Sequence, residues 1–140
     1  MKWLARLLAI LLPVAVCSGD NIVYVRVHRP MIQAKLKLEP DAEAGRPSTL
    51  HSLFANACCP QIQEQPVPQE DLPNLICTLP GTEEGIIVVG ASLQYAADRA
   101  APAGWGTLLQ LPLLAESVGG VQHRLTIVLA AFAGKERPSR

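Results

Sequence analysis

Two short apolar runs dominate the hydrophobic pattern. One is Gly85-Ile86-Ile87-Val88-Val89-Gly90-Ala91-Ser92; the other is Arg124-Leu125-Thr126-Ile127-Val128-Leu129-Ala130-Ala131-Phe132-Ala133-Gly134. Both are rich in β-branched residues and closed by small ones, which predicts two fully buried strands. The apolar stretch from Thr107 to Ser117 between them has helical character. Strand, crossover helix and strand make a βαβ unit, which implies parallel pairing in a sheet covered on both faces. In such sheets ligands gather at the carboxyl ends of the strands. Here those ends are Ala91-Ser92-Leu93-Gln94 and Gly134-Lys135-Glu136.

The remaining pattern supplies the flanks. Leu50, Leu53, Phe54, Ala57 and Cys58 fall at helical spacing and predict an amphipathic helix over 48–58, with Ser48 as N-cap after Pro47 and Pro60 as the stop. His51 lies off that stripe and reads as a solvated surface residue. Ile62–Pro68 is broken by prolines and suits an edge strand. Asn74–Leu79 predicts another strand, and Pro80–Glu84 a turn, so that these strands and the one at 86–91 form a meander feeding the βαβ unit. Glu70 with Asp71, and Glu83 with Glu84, read as solvated turn acids. Residues 28–47 are rich in breakers and predict mostly loop, with Ile32–Leu38 as a candidate strand. Asn21–Val27 alternates and is a first strand or an extended lead-in. Pro112 should kink the crossover helix unless it lies in its first turn, and Gly119-Gly120 should end it.

The amino terminus changes the compartment. Lys2 and Arg6 precede an apolar run, Leu7–Val16, too short to span a bilayer as a helix and of signal-peptide length. Residues 1–18 are therefore expected to be a signal peptide, with lipidation at Cys17 or a retained anchor as alternatives. The expected location is exported, periplasmic or extracellular, with no stable membrane span after cleavage. The chain of 140 residues carries 12 bases and 12 acids, and loss of Lys2 and Arg6 leaves a mature net charge of −2. That balance, with only two each of Phe, Trp and Tyr, argues against nucleic acid as a partner. An exported chain permits disulfides. Cys59 or Cys58 with Cys77 are candidate pairs; the alternative is that all three are small buried hydrophobes.

Several segments together resemble one family, the co-catalytic zinc metallopeptidases of the bacterial leucyl aminopeptidase, aminopeptidase Y and glutamate carboxypeptidase type. The matching run, Leu53–Glu136, covers 84 of 140 residues. It includes Leu53-Phe54-x-x-Ala57-Cys58, Glu64-Gln65-Pro66-Val67, Leu72-Pro73-Asn74-Leu75-Ile76, Leu79-Pro80-Gly81, Ile86–Ala91, the Trp105 segment and Thr126–Gly134. The resemblance implies an α/β fold: an incomplete three-layer sandwich with a mixed, partly parallel central sheet. With the leader and tail read from their own residues, the chain divides into the signal peptide (1–18), an extended lead-in over 19–47, a truncated zinc-peptidase-like domain over 48–136 and a frayed tail over 137–140.

The same resemblance implies where chemistry would sit, and there the residues depart from the family. Gly-Ala-His-x-Asp carries a zinc ligand and its orienting acid in the family; this chain has Gly90-Ala91-Ser92-Leu93-Gln94, with Ser92 for the ligand and Gln94 for the acid. A neutral hydroxyl is a poor zinc donor beside an imidazole. The bridging Asp falls at Pro102 or Ala103, depending on the alignment, and Asp98 is the one acid nearby. The Gly-Glu-Glu triplet becomes Gly134-Lys135-Glu136. Lys135 stands at the general-base position, where an ammonium group cannot accept a proton. Glu136 is the single surviving metal-ligand candidate.

These departures predict a non-catalytic, exported relative of zinc aminopeptidases: a binding or interaction module, or a gene fragment. No cofactor is expected, although the family would use two zinc ions. The expected partner is a protein, or a second copy, docked through an open sheet edge. The alternative is a zinc-dependent exopeptidase of the aminopeptidase type.

Overall fold

A computed structural model describes residues 28–94 and 102–134, with the side chains of 102 and 103 excepted. The expected signal peptide, the lead-in strand at 21–27, Asp98, Lys135, Glu136 and the tail lie outside the described residues. The elements run in the order α1 (Arg29–Leu36), a 3₁₀ turn (Glu43–Gly45), α2 (Arg46–Asn56), β1 (Gln61–Gln65), β2 (Asn74–Leu79), β3 (Ile86–Ser92), α3 (Pro102–Val118) and β4 (Thr126–Phe132).

The stripe of Leu50, Leu53, Phe54 and Ala57 folds as α2 and faces the core. Its start differs from expectation. Gly45 is the N-cap and Pro47 occupies the first turn, where its missing N–H costs nothing. Ser48 and Thr49 instead donate their hydroxyls back to the Gly45 carbonyl, at 2.9 and 3.1 Å. The end is set by backbone as well as by Pro60: Cys58 takes φ +57°, and Cys59 N–H then reaches the Phe54 carbonyl at 3.0 Å. That is a left-handed helix stop without the usual glycine.

Residues 29–36 form a helix, not the loop or strand their breakers suggested. Pro30 sits in the first turn of α1, where it is tolerated. No residue of α1 is buried. It is held against α3 by the Lys35–Glu116 ion pair and by Leu36 lying over Gly106. A surface helix of this kind leaves no strong hydrophobic signature.

The four strands form one mixed sheet in the order β1-β2-β4-β3. β1 pairs antiparallel with β2, β2 antiparallel with β4, and β4 parallel with β3. The βαβ unit is therefore present as expected, and β1 is an edge strand. The expected meander is not: β4 lies between β2 and β3. The end of the β2–β3 turn is pinned to the start of β4. Gly81 bridges His123 so closely that a Cβ there would lie 2.3 Å from the Leu125 carbonyl carbon, which is why this position needs glycine. Arg124 grips Glu83 across the same turn at 2.8 and 3.0 Å. That hydrogen bond holds the exposed Glu83 carboxyl below the usual carboxylate range.

One face of the sheet is covered. Leu75, Cys77 and Leu79 of β2 alternate with less buried neighbours. They align with Ala131, Leu129 and Ile127 of β4, and these with Ala91, Val89 and Ile87 of β3. α2 and α3 pack on this face, with Trp105, Phe54, Leu108 and Leu109 at the centre. α3 is continuous across Pro112, which is buried in the helix interior. The helix starts five residues before the expected Thr107.

The expectation of two fully buried strands is corrected. β3 is largely exposed, with Ile86 at 67% and Val88 at 60% accessibility, and Phe132 of β4 at 45%. Both described covering helices lie on the other face. A continuous apolar run cannot distinguish a strand buried on both sides from one left bare on one side, because its composition is the same in either case.

Candidate functional site

The carboxyl ends of β3 and β4 lie side by side, with Ser92 opposite Phe132. Beyond them the chain turns inward and its polar groups are used internally. Leu93 N–H donates to the Phe132 carbonyl at 2.8 Å. Ser92 is exposed, and its hydroxyl donates to the Gln94 carbonyl at 2.8 Å. The Gln94 side chain is buried, and its Oε1 accepts the Gly134 N–H at 3.2 Å. Gln94 thus ties the end of β3 to the end of β4. The amide does here what a charged acid would do at greater desolvation cost. On the far side of β4, Asn74 Oδ1 accepts the Ala133 N–H at 2.8 Å.

A buried cation completes this end of the sheet. Arg46, 4% accessible, donates from Nη1 to the Leu93 carbonyl at 3.0 Å. Glu43 lies 3.5 Å and Glu39 3.7 Å from the guanidinium. A buried guanidinium is tolerated when its charge is balanced and its protons are bonded.

The sequence picked out Ser92 and Gln94, and the fold brings both to one place. It missed Arg46 and Asn74. A signal for Arg46 existed: it lies four, seven and eight residues before Leu50, Leu53 and Phe54, on the helix face that becomes buried. Ala103 is in the first turn of α3, while Lys135 and Glu136 lie outside the described residues.

The donor set at this position does not fit a zinc ion. The Ser92 hydroxyl is engaged, the Gln94 oxygen is engaged, and neither carries charge; zinc is held by imidazole, thiolate or carboxylate. Among the described residues no group of three or more His, Cys, Asp or Glu side chains is placed to hold a metal. His51 is exposed on α2, and His123 sits by Gly81 at the opposite end of the sheet.

Among the described residues the cysteines form one disulfide and leave one thiol. Cys59 and Cys77 form a disulfide with Cα atoms 6.1 Å apart, joining the end of α2 to the middle of β2. Cys58 is free and exposed, which corrects the alternative of three buried cysteines.

No helix among the described residues is long and apolar enough to cross a membrane. No protein-family profile matches the chain, and no curated protein matches it. Solved structures do. LapA of Legionella pneumophila matches at 14% identity and TM-score 0.48, over 80% of this chain and 40% of that one. A structure described as the LapA aminopeptidase of the same organism matches at 15% identity and TM-score 0.49, over 96% of this chain and 43% of that one. LapB of Legionella pneumophila matches at 16% identity and TM-score 0.43, over 81% of this chain and 40% of that one. The chain therefore spans about two fifths of the length of these structures.

Proposed function

We propose that the chain is a non-catalytic relative of zinc aminopeptidases that works as an exported interaction module. One observation carries the reading: the polar groups where a metal ligand and its orienting acid would stand, Ser92 and Gln94, are spent on closing the strand ends, with the Arg46 guanidinium buried alongside. Two-zinc hydrolysis needs several anionic or imidazole donors converging on the metals, and Lys135 is the wrong group for a general base. The run of motifs from Leu53 to Glu136 supports the family relationship. The Cys59–Cys77 disulfide and the leader-like residues 1–18 support export to an oxidising compartment. A bare apolar strand at the sheet edge supports binding of another polypeptide.

The reading is tested with aminoacyl-anilide substrates and added zinc. No turnover above a chelator-treated control is expected. Robust turnover abolished by chelation would establish the zinc exopeptidase alternative.

A further inference from the structure

The two edges of the sheet are built differently. β1 presents Gln61, Gln63, Glu64 and Gln65 between Pro60 and Pro66, the charges and prolines that normally guard an edge. β3, the other edge, reads Ile-Ile-Val-Val-Gly-Ala-Ser and contains no charge and no proline. Among the described residues no strand pairs with its outer side. Gly85 and Leu93 bond to β4 through Thr126 and Phe132. By strand alternation the odd-numbered residues between them face β4, and Ile86, Val88, Gly90 and Ser92 aim their N–H and C=O groups outward.

We infer that the partner of this edge is a second copy of the same strand, paired antiparallel about a two-fold axis at Val89; this rests on the non-catalytic interaction reading above. The strand is complementary to itself in that register. Val88 meets Gly90, Ile86 meets Ser92 and Ile87 meets Ala91, so every large side chain except Val89, which lies on the axis, is opposite a small one. The outward backbone groups fall on the hydrogen-bonded pairs, and Val89 meets Val89 as a non-hydrogen-bonded pair. The Phe132 ring already occupies the space over Gly90, 2.5 Å from where a Cβ would stand, and gives the incoming Val88 an apolar surface. Charge selects the direction. A parallel pairing would set Glu83 and Glu84 beside their copies, whereas the antiparallel one carries the two pairs of acids to opposite ends of the paired strands.

The contact extends beyond the strand. Val89, Gln110, Leu113, Leu114 and Ser117 line an apolar cavity of about 310 Å³ between β3 and α3, and the two-fold axis brings the second α3 against it. The interface then has about eleven residues per copy, against the roughly 20–30 of a standard one. The association is accordingly weak and rises with concentration.

Light scattering on size-separated full-length protein, over a concentration series, provides the test. The mass is expected to climb toward twice that of the monomer. Val88→Pro removes an outward N–H and leaves the β4 ladder intact, so it should give a monomer with unchanged melting temperature; Val88→Lys should do the same if the proline variant fails to fold. In a Cys17→Ser, Cys58→Ser background, Val89→Cys should yield a disulfide-linked dimer on mild oxidation. A monomer at every concentration, a dimer indifferent to Val88→Lys, or no cross-link at position 89 would each overturn the inference. None of these results bears on peptidase activity, which is scored separately.

Discussion

Trp105→Ala is expected to lower the unfolding free energy by about 4 kcal/mol, the usual cost of emptying a large aromatic site. Trp105 is the largest fully buried side chain among the described residues, at 0% accessibility, and sits in α3 within the cluster that joins α2, α3 and the covered sheet face. That face is the only one against which the described helices pack, so among the described residues one core cluster bears the loss. For a domain of ordinary stability, about 5–15 kcal/mol, such a loss takes much of the total. Urea unfolding followed by far-ultraviolet circular dichroism measures it. Trp105→Phe keeps most of the volume and should cost clearly less. A loss for Trp105→Ala below about 1 kcal/mol, the range of surface substitutions, would mean that α3 is not anchored as described.

Removing the Cys59–Cys77 disulfide ranks next, at about 3 kcal/mol. The bond closes a loop of 18 residues, and restricting an unfolded loop of that length is worth about that much by chain entropy. It also anchors the left-handed stop of α2 onto the middle strand β2, so reduction should loosen the helix end first. The measurement is urea unfolding of the oxidised chain, the reduced chain and a Cys59→Ala, Cys77→Ala variant. The reduced chain isolates the bond itself, because the alanine variant additionally empties the fully buried Cys77 site. Equal midpoints for oxidised and reduced protein would show that the bond contributes nothing.

Much of the scaffold could be read from spacing alone. β2 matches its predicted bounds at both ends, and β3 extends one residue further than expected, because hydrophobic alternation and β-branched content state strand character directly. The stripe on α2 placed that helix to within two residues, although not its cap. What spacing does not state is which strand neighbours which. The insertion of β4 between β2 and β3 depends on contacts distant in sequence, and a turn at Pro80–Glu84 suggests a hairpin whether or not one forms. Exposure was equally hidden. Ile86 and Val88 are as apolar as any core residue, and only the position of the helices reveals that their face is bare.

The candidate site was legible in part. Ser92 and Gln94 were located by their place at the carboxyl end of a predicted strand and by the family resemblance, and both do lie at that end of β3. Their actual work, closing β3 onto β4, depends on the Gly134 N–H 40 residues away, which no local pattern encodes. Arg46 was missed because a buried arginine is rare and its neighbours Gly45 and Pro47 suggest a loop. The argument against a metal at this end of the sheet rests instead on the donors themselves, since Ser92 and Gln94 are neutral and already engaged.

The most direct measurement is the zinc content of the purified chain after equilibration with excess zinc and removal of free ion. The account predicts no stoichiometric zinc, and no release of metal or loss of stability on treatment with a chelator. Two zinc ions retained per chain, removed by chelator with loss of fold stability, would contradict it.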